Sequence, residues 1–488
     1  MTETAKKKRG MPSSFTILLA LLAIVAVITV IVSGTSGGAV TAARLSDFCT
    51  APILGFADAL PVCLFVMILG MMTETGALDN GIAVLVQKLK GNEIMLVPVL
   101  MLIFSLGGTT YGMCEETVPF YALLAATMMA AGFDPMVGAA TVLLGAGCGC
   151  LGSTVNPFAV GAAVDALTGV GIEVNQSIII GLGAVLWIVT TAMSIVFVMN
   201  YAKKVKADKG STILSMQELK DAEEAHGKAA SEVHKEVKLT GRQKGVLIAF
   251  AFTFVVMIVG FIPLADLNEG VANFFDAGAV YDADGNAVVQ GWSALITGLP
   301  IGQWYFDEAS TWFFLMAVLI GIIGGLSEKQ IVNTFITGAA DMMSVVLVIA
   351  LARGISVLMA NTGLDVFVLD AAANALAGLS GVIFAPMSFL VYFGLSFLIP
   401  STSGMATVSM PIMGPLAVKL GFSPEVMVMI FSAAIGVVNL FTPTSGAIMG
   451  GLALAKIEWT TWLKFALKLI VALSVVCAVI LTVACVLL

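Results

Sequence analysis

Apolar runs about as long as a bilayer is thick recur along the whole sequence. Ser14 to Ser33 and Gly245 to Pro263 are two of them, and neither contains a charged side chain. A helix needs about 20 such residues to cross the hydrocarbon core, and backbone inside lipid must satisfy its own hydrogen bonds. Only 11% of the 488 residues are charged, against roughly 25% in a soluble domain. The pattern predicts an all-α polytopic protein with the lipid bilayer as its solvent. A membrane β-barrel would need short alternating segments instead. The first run is long, and TSGGAV after it is a weak cleavage context, so it reads as a retained span rather than a signal peptide.

The basic residues orient the chain. Of 23 Lys and Arg, ten lie between Lys203 and Lys244 and four at Lys6, Lys7, Lys8 and Arg9, whereas 264–311 has none and carries seven acids. The positive-inside rule then puts the N-terminus and 203–244 in the cytoplasm and 264–311 outside. The expected location is a bacterial-type inner or plasma membrane, with an external C-terminus. Lys88, Lys90, Lys329, Lys456, Lys464 and Lys468 also fall inside, Arg44 and Lys419 outside, and Arg353 within the membrane.

The seven Cys follow no zinc or redox spacing and read as small packing residues. The two His, His226 and His234, lie in the charged 203–244 loop, which argues against a His-based metal site or catalytic dyad in the membrane. No cofactor, structural metal or nucleic-acid partner is expected.

The sequence repeats a set of landmarks. TETGALDNG (73–81), GGTTYGMCEETVPF, GFDP (132–135) and GSTVNPFAVG (152–161) occur in one half. ANTGLDVFV (360–368), IPSTSGMATVSMP (399–411), GFSP (421–424) and FTPTSGAIMGG (441–451) follow in the same order in the other. Placing the spans turns the second copy upside down. The first repeat, 1–202, holds spans at 14–33 and 60–78 and a re-entrant hairpin at 93–131 broken at Gly107–Gly112. A span at 136–165 broken at Gly152–Pro157 and a span at 178–200 complete it. A cytoplasmic linker covers 203–244, and 245–311 holds a linking span (245–263) and an external segment. The second, inverted repeat, 312–488, holds spans at 312–326 and 333–360, a hairpin at 381–418 broken at Pro400–Gly404, a span at 424–455 broken at Thr442–Gly446, and a last span at 463–487. This makes nine crossings and two hairpins. Broken helices at matching places in inverted halves point to a transporter's binding site, so the four breaks are expected to converge.

At these breaks the sequence resembles the YfcC/DcuC family of the ion-transporter superfamily. The motifs that carry the resemblance are GGTTYGMCEETVPFYALL, GSTVNPFAVG, PSTSGMATVSMPIMGPLA and FTPTSGAIMGG, and it covers nearly the whole chain. It implies secondary transport, an elevator-like architecture with a scaffold and a mobile domain, and a homodimer. Members are described variously as C4-dicarboxylate carriers or basic amino-acid antiporters, so the resemblance leaves the substrate open.

The candidate site residues are those of the breaks. Thr109, Thr110, Ser153, Thr154 and Asn156 from the first half, with Ser401, Thr402, Ser403, Thr442, Thr444 and Ser445 from the second, offer hydroxyls, an amide and freed carbonyls. Such groups coordinate Na⁺, and half-helix N-termini hold a carboxylate. The plainer reading is that Ser and Thr cap the helix breaks.

Glu115 and Glu116 put two adjacent carboxylates in an apolar region. They either cap the second hairpin arm, with Pro119 in its first turn, or one of them binds a cationic group or carries a proton. Burying both charged would be costly. The second hairpin has Met405 and Ala406 in the matching region and no acid. That asymmetry suits a molecule with an ammonium or guanidinium at one end and a carboxylate at the other.

Arg353 either pairs with an acid such as Glu74, Asp341 or Asp365, or clamps a substrate carboxylate. Asn361, Thr362 and Asp365 read as a structural span end, and 203–244 reads as solvated surface. The sequence Val280–Gln290 reads as a short hairpin turning at Asp284–Asn286.

The leading expectation is a secondary transporter exchanging basic amino acids such as arginine and ornithine. A Na⁺- or H⁺-coupled C4-dicarboxylate carrier is the alternative. A membrane-embedded enzyme using Glu115 and Glu116 as acid and base is more remote. A channel is less suited than an occluding carrier to discontinuous hairpins.

Overall fold

The computed structural model describes residues 14–488 except 60–67, 69, 79, 82–83, 85–91, 115–116, 234–237, 263, 268, 283–286 and 305. The labels used below cover the principal described helices. In the first half these are α1 (Ser14–Ser33), α2 (Leu45–Ala59), α3 (Leu96–Tyr111), α4 (Val118–Ala130), α5 (Pro135–Leu151), α6 (Ala162–Thr168, entered through a π turn at Pro157–Gly161) and α7 (Gln176–Ala207). The middle holds α8 (Met216–Val233) and α9 (Gly241–Phe261). The second half holds α10 (Phe306–Gly324), α11 (Glu328–Thr362), α12 (Leu364–Leu376), α13 (Gly381–Leu398), α14 (Thr402–Lys419), α15 (Pro424–Val438), α16 (Gly446–Leu454) and α17 (Trp459–Leu487). A two-stranded ribbon pairs β1 (Val280–Tyr281) with β2 (Ala287–Val289) antiparallel. The Asp284–Asn286 turn lies outside the described residues.

Among the described residues, five helices are long and apolar enough to cross a membrane, or six if Arg353–Thr362 and Leu364–Leu376, bent by 78°, count as one. Most of the remaining apolar helices are shorter, many of them arms of the broken elements. The span expected at 60–78 falls largely outside the described residues. The sequence analysis missed α2, whose Ser46, Asp47, Pro52 and Asp58 dilute its hydropathy. It lies along α11. Gly55 permits this, because a Cβ there would run into the Ala350 carbonyl and the Gly354 amide.

Matching landmarks build matching turns. At Gly132 and Gly421 the backbone is left-handed, with φ of 86° and 82°, a conformation glycine adopts without a Cβ clash. Phe133 N then donates to the Met128 carbonyl and Phe422 N to that of Ala417, each at 2.9 Å. The next residue is an N-cap in both halves: Asp134 accepts from Val137 N and Ser423 from Val426 N. Pro135 and Pro424 follow in the first helical turn, where a missing N–H costs nothing. The Thr-Gly landmarks behave alike. Thr75 Oγ1 donates to the Met71 and Met72 carbonyls, Thr362 Oγ1 to those of Leu358 and Met359, and Gly76 and Gly363 have φ of 63° and 72°.

Helices of the two halves also pack reciprocally. Within each half the first hairpin arm lies on the helix before the second break, α3 on α5 and α13 on α15. Between halves the second arm meets the helix after the opposite break, α4 on α16 and α14 on α6. The α5–α15 pair is the centre of the core. Fourteen consecutive residues of α15, from Glu425 to Val438, are buried.

Two expectations need correction. The first hairpin does not break at Gly107: α3 runs to Tyr111 and ends at Gly112, whose φ is 79°. Gly107 and Gly108 are helical. Gly108 lets α3 press against α5, since a Cβ there would meet the Ala146 carbonyl and the Cys150 amide. Nor is the 203–244 segment only a solvated surface. Its helix α8 packs on α4, Glu218 Oε1 accepts from Glu458 N at 2.9 Å, and His226 Nε2 lies 3.0 Å from the Leu454 carbonyl oxygen. The preceding turn is tied down as well. Buried Asp134 accepts from Tyr201 Oη at 2.5 Å and from Thr212 Oγ1 at 2.6 Å. Burial is the largest influence on its carboxyl and raises its pKa, against the pull of these hydrogen bonds.

Candidate functional site

A cavity of about 460 Å³ has residues of all four breaks on its wall. Gly112, Met113, Cys114 and Thr117 come from the first hairpin, Asn156 and Phe158 from the second break, Pro400 to Ser403 from the second hairpin, and Asn439 and Thr444 to Gly446 from the fourth. The volume is in the range of sites for small molecules.

Seven of the sequence candidates stand on this wall: Asn156, Ser401, Thr402, Ser403, Thr444, Ser445 and Arg353. Five do not, and their hydroxyls act within the protein. Thr109 Oγ1 donates to the Gly152 carbonyl at 2.7 Å, and Thr154 Oγ1 to the Thr109 carbonyl at 3.0 Å. Ser153 Oγ donates to the Cys150 carbonyl at 2.6 Å. Thr110 Oγ1 returns to Leu106 O one turn back. Thr442 Oγ1 lies 2.7 Å from Thr444 Oγ1 in a fully buried pair. Glu115 and Glu116 lie outside the described residues, but the residues before and after them, Cys114 and Thr117, both line the cavity.

Asn156 is the best-held polar group on the wall. Its Oδ1 accepts from Phe158 N at 2.9 Å and Ala159 N at 3.3 Å, and its Nδ2 donates to Ser153 Oγ at 2.9 Å. It caps the π turn and packs under Gly112, where a Cβ would strike the amide. Across the cavity Ser401 caps α14, its Oγ accepting from Gly404 N at 3.2 Å. The N-terminal turns of α4, α14 and α16 and the start of the π turn therefore all contribute wall residues. Unpaired N–H groups at helix starts carry partial positive charge and favour anionic groups.

Arg353, half-buried in α11, adds a full positive charge, and Asp307, exposed in the first turn of α10, adds a negative one. Asp365, one of the acids considered for Arg353, accepts from Val366 N at the start of α12. Glu74 is exposed, and the side chain of Asp341 lies outside the described residues.

Sequence reasoning missed Asp307, Tyr121, Asn439, Ser432, Cys114 and Cys150 as wall residues. Asn439 carried a signal, being a lone amide just before the fourth break. Asp307 looked like one more external acid. Cys114 and Cys150 correct the view of cysteines as packing only, whereas Cys148, Cys477 and Cys485 are buried. Among the described residues no group of three or more His, Cys, Asp or Glu could hold a metal ion.

Comparison with known proteins gives consistent matches over most of the chain. The family profile described as C4-dicarboxylate anaerobic carrier (DcuC) matches residues 39–486. A Haemophilus influenzae protein of uncharacterised function is 28% identical over 445 residues, 90% of this chain and 78% of its own. An Escherichia coli protein, YfcC, named as a candidate basic amino acid antiporter, is 27% identical over 440 residues, 87% of this chain and 77% of its own. Among solved structures, the Alcanivorax borkumensis YdaH transporter matches 97% of this chain and 98% of its own at 16% identity and a TM-score of 0.48. Neisseria gonorrhoeae MtrF, from a class of antimetabolite efflux pumps, matches 98% and 96% at 16% identity and a TM-score of 0.46.

Proposed function

Because the chain belongs to the C4-dicarboxylate anaerobic carrier family and is a multi-pass membrane transporter of it, we propose that it exchanges basic amino acids such as arginine and ornithine across the membrane. The observation that carries this is the polarity of the cavity. Arg353 and four helix starts supply positive charge for a carboxylate. The acid pair Glu115–Glu116 falls in the sequence between two wall residues and would supply the partner for an ammonium or guanidinium. The resemblance over 87% of the chain to YfcC, named as a candidate basic amino acid antiporter, supports the same reading.

We assign the chain two inverted repeats and an elevator-like mechanism, with the mobile part made of the hairpins and broken spans. The shared GF-x-P and Thr-Gly turns and the reciprocal packing of α4 on α16 and α14 on α6 support the repeat. The orientation we assign rests on the distribution of basic residues. In it the pairs Lys206–Glu93, Thr212–Asp134, His226–Leu454 and Glu218–Glu458 would face the cytoplasm, and the pairs Thr41–Thr362 and Asn175–Glu425 the outside. A homodimer is the assembly the family resemblance implies, and Na⁺ or H⁺ coupling belongs to the carboxylate-carrier alternative.

A second reading, a C4-dicarboxylate carrier, is favoured by Arg353 on the wall and by the family's description. Equilibrium binding of labelled arginine, ornithine, succinate and fumarate to the purified protein separates the two. We expect the amino acids to bind. Succinate binding that is lost with Arg353→Gln, without arginine binding, would replace the first reading by the second.

A further inference from the structure

A second cavity, also of about 460 Å³ and the more open of the two, shares Phe158 and Ser403 with the first. The rest of its wall is Pro157, Ala162, Asp165, Ala166 and Thr407, so it sits where α6 of one half packs on α14 of the other. The Phe158 ring on the shared wall is braced from outside the hairpins. It meets Phe261 with centroids 5.9 Å apart, and Phe261 stacks on Tyr111 at 5.9 Å and 12°. Phe261 is itself fixed, because the carbonyl of its neighbour Gly260 accepts from Gly302 N at 3.1 Å and Trp304 N at 3.0 Å.

We propose that this second cavity is an antechamber that holds a molecule bearing an amine or guanidinium before it passes Phe158 into the main cavity. The inference rests on the main cavity being a substrate site, and it deepens that reading. Asp165 is the one charged residue on the described wall, accompanied by the hydroxyl residues Ser403 and Thr407 and the aromatic ring of Phe158. A carboxylate in a concave wall raises the local concentration of cations and lowers that of anions, and an aromatic face adds attraction for a cation. Among the described residues no basic side chain lines it, so a dicarboxylate would find repulsion there. The main cavity, by contrast, carries Arg353. The sequence of compartments therefore selects for positive charge first and reads the carboxylate second.

Thiol labelling tests this whatever the cargo proves to be. Thr407→Cys, on a background lacking the native cysteines, is treated with a trimethylammonium and a sulfonate methanethiosulfonate reagent. The cationic reagent should react roughly tenfold faster, the ratio should fall towards one with Asp165→Asn, and arginine should slow both reactions. A ratio near one, or one indifferent to Asp165→Asn, overturns the antechamber whatever the main cavity carries. A companion variant keeps only Cys150, on the main cavity's wall. Phe158→Ala should speed its modification several-fold, and an unchanged rate overturns the route past Phe158. Protection of Cys150 by succinate and not by arginine would overturn the substrate reading instead, and the antechamber's cargo with it, and is read separately from the charge ratio at Thr407→Cys.

Discussion

Thr109 and Thr154 exchange hydrogen bonds that stitch the first hairpin to the break of the following span. The Thr154 amide and hydroxyl both donate to the Thr109 carbonyl, at 2.9 and 3.0 Å, while the Thr109 hydroxyl donates to Gly152 O. Thr109 is 1% exposed. Thr109→Val keeps the shape and leaves the Gly152 carbonyl short of a partner, at a cost of about 1–3 kcal/mol. We expect a lower unfolding temperature in detergent and an arginine affinity changed by less than about threefold among the folded molecules. An unchanged unfolding temperature with lost binding would make Thr109 a ligand rather than a stitch.

The same substitution should have opposite signs at two helical glycines. Gly108→Ala drives a Cβ into the α5 backbone, and overpacking of this kind costs about 1–3 kcal/mol. Gly338, within α11, has no described atom beyond its own helix backbone within 4 Å of the place a methyl group would take, so Gly338→Ala should stabilise by about 0.5–1 kcal/mol through helix propensity alone. Thermal unfolding of both variants checks the pair, and a destabilised Gly338→Ala would contradict it.

Helices α1, α7 and α9, near the runs 14–33, 178–200 and 245–263, were legible because lipid imposes a length and a composition on a span. The GF-x-P landmarks were legible because Gly, a cap and Pro each have one local use. What escaped was set by tertiary contact. Gly107 and Gly108 read as a break but are helical, and Gly108 serves contact with α5, a distinction that needs α5 in place. The helix α2 hid behind its polar residues until α11 covered it. In the site, Thr109, Ser153 and Thr442 have the same side-chain chemistry as Thr402 and Ser445, and only packing decides which hydroxyl turns inward and which meets the cavity. Asp307 joined the wall from 46 positions before Arg353, a proximity no local pattern encodes.

The linker helix α8 should loosen in acid. Burial is the main cause that lowers the His226 pKa below its ordinary 6.5; Lys456 adds to it and the Leu454 carbonyl opposes it. With a folded pKa below the unfolded one, the unfolded state binds more protons in the interval between them, so stability rises with pH there. The contact is at full strength above about pH 6.5 and weakens as pH falls towards the folded pKa. Protection factors in 216–226, which correct for the intrinsic pH dependence of exchange, should fall as pH is lowered below about 6.5, and His226→Gln should remove most of that dependence. Protection that is flat with pH in the parent protein would contradict the assignment.

The central claim is that a carboxylate between Cys114 and Thr117 supplies the negative pole for a cationic cargo. Its most direct measurement is counterflow of labelled arginine into proteoliposomes loaded with ornithine, for the parent protein and for Glu115→Gln, Glu116→Gln and the double variant. Losing one partner of a buried charge pair costs about 3–5 kcal/mol, more than a hundredfold in affinity. The account predicts robust exchange in the parent, near-complete loss in one single variant and in the double, and a mild effect in the other single variant. Arginine exchange that persists at the parental rate in the double variant would contradict it.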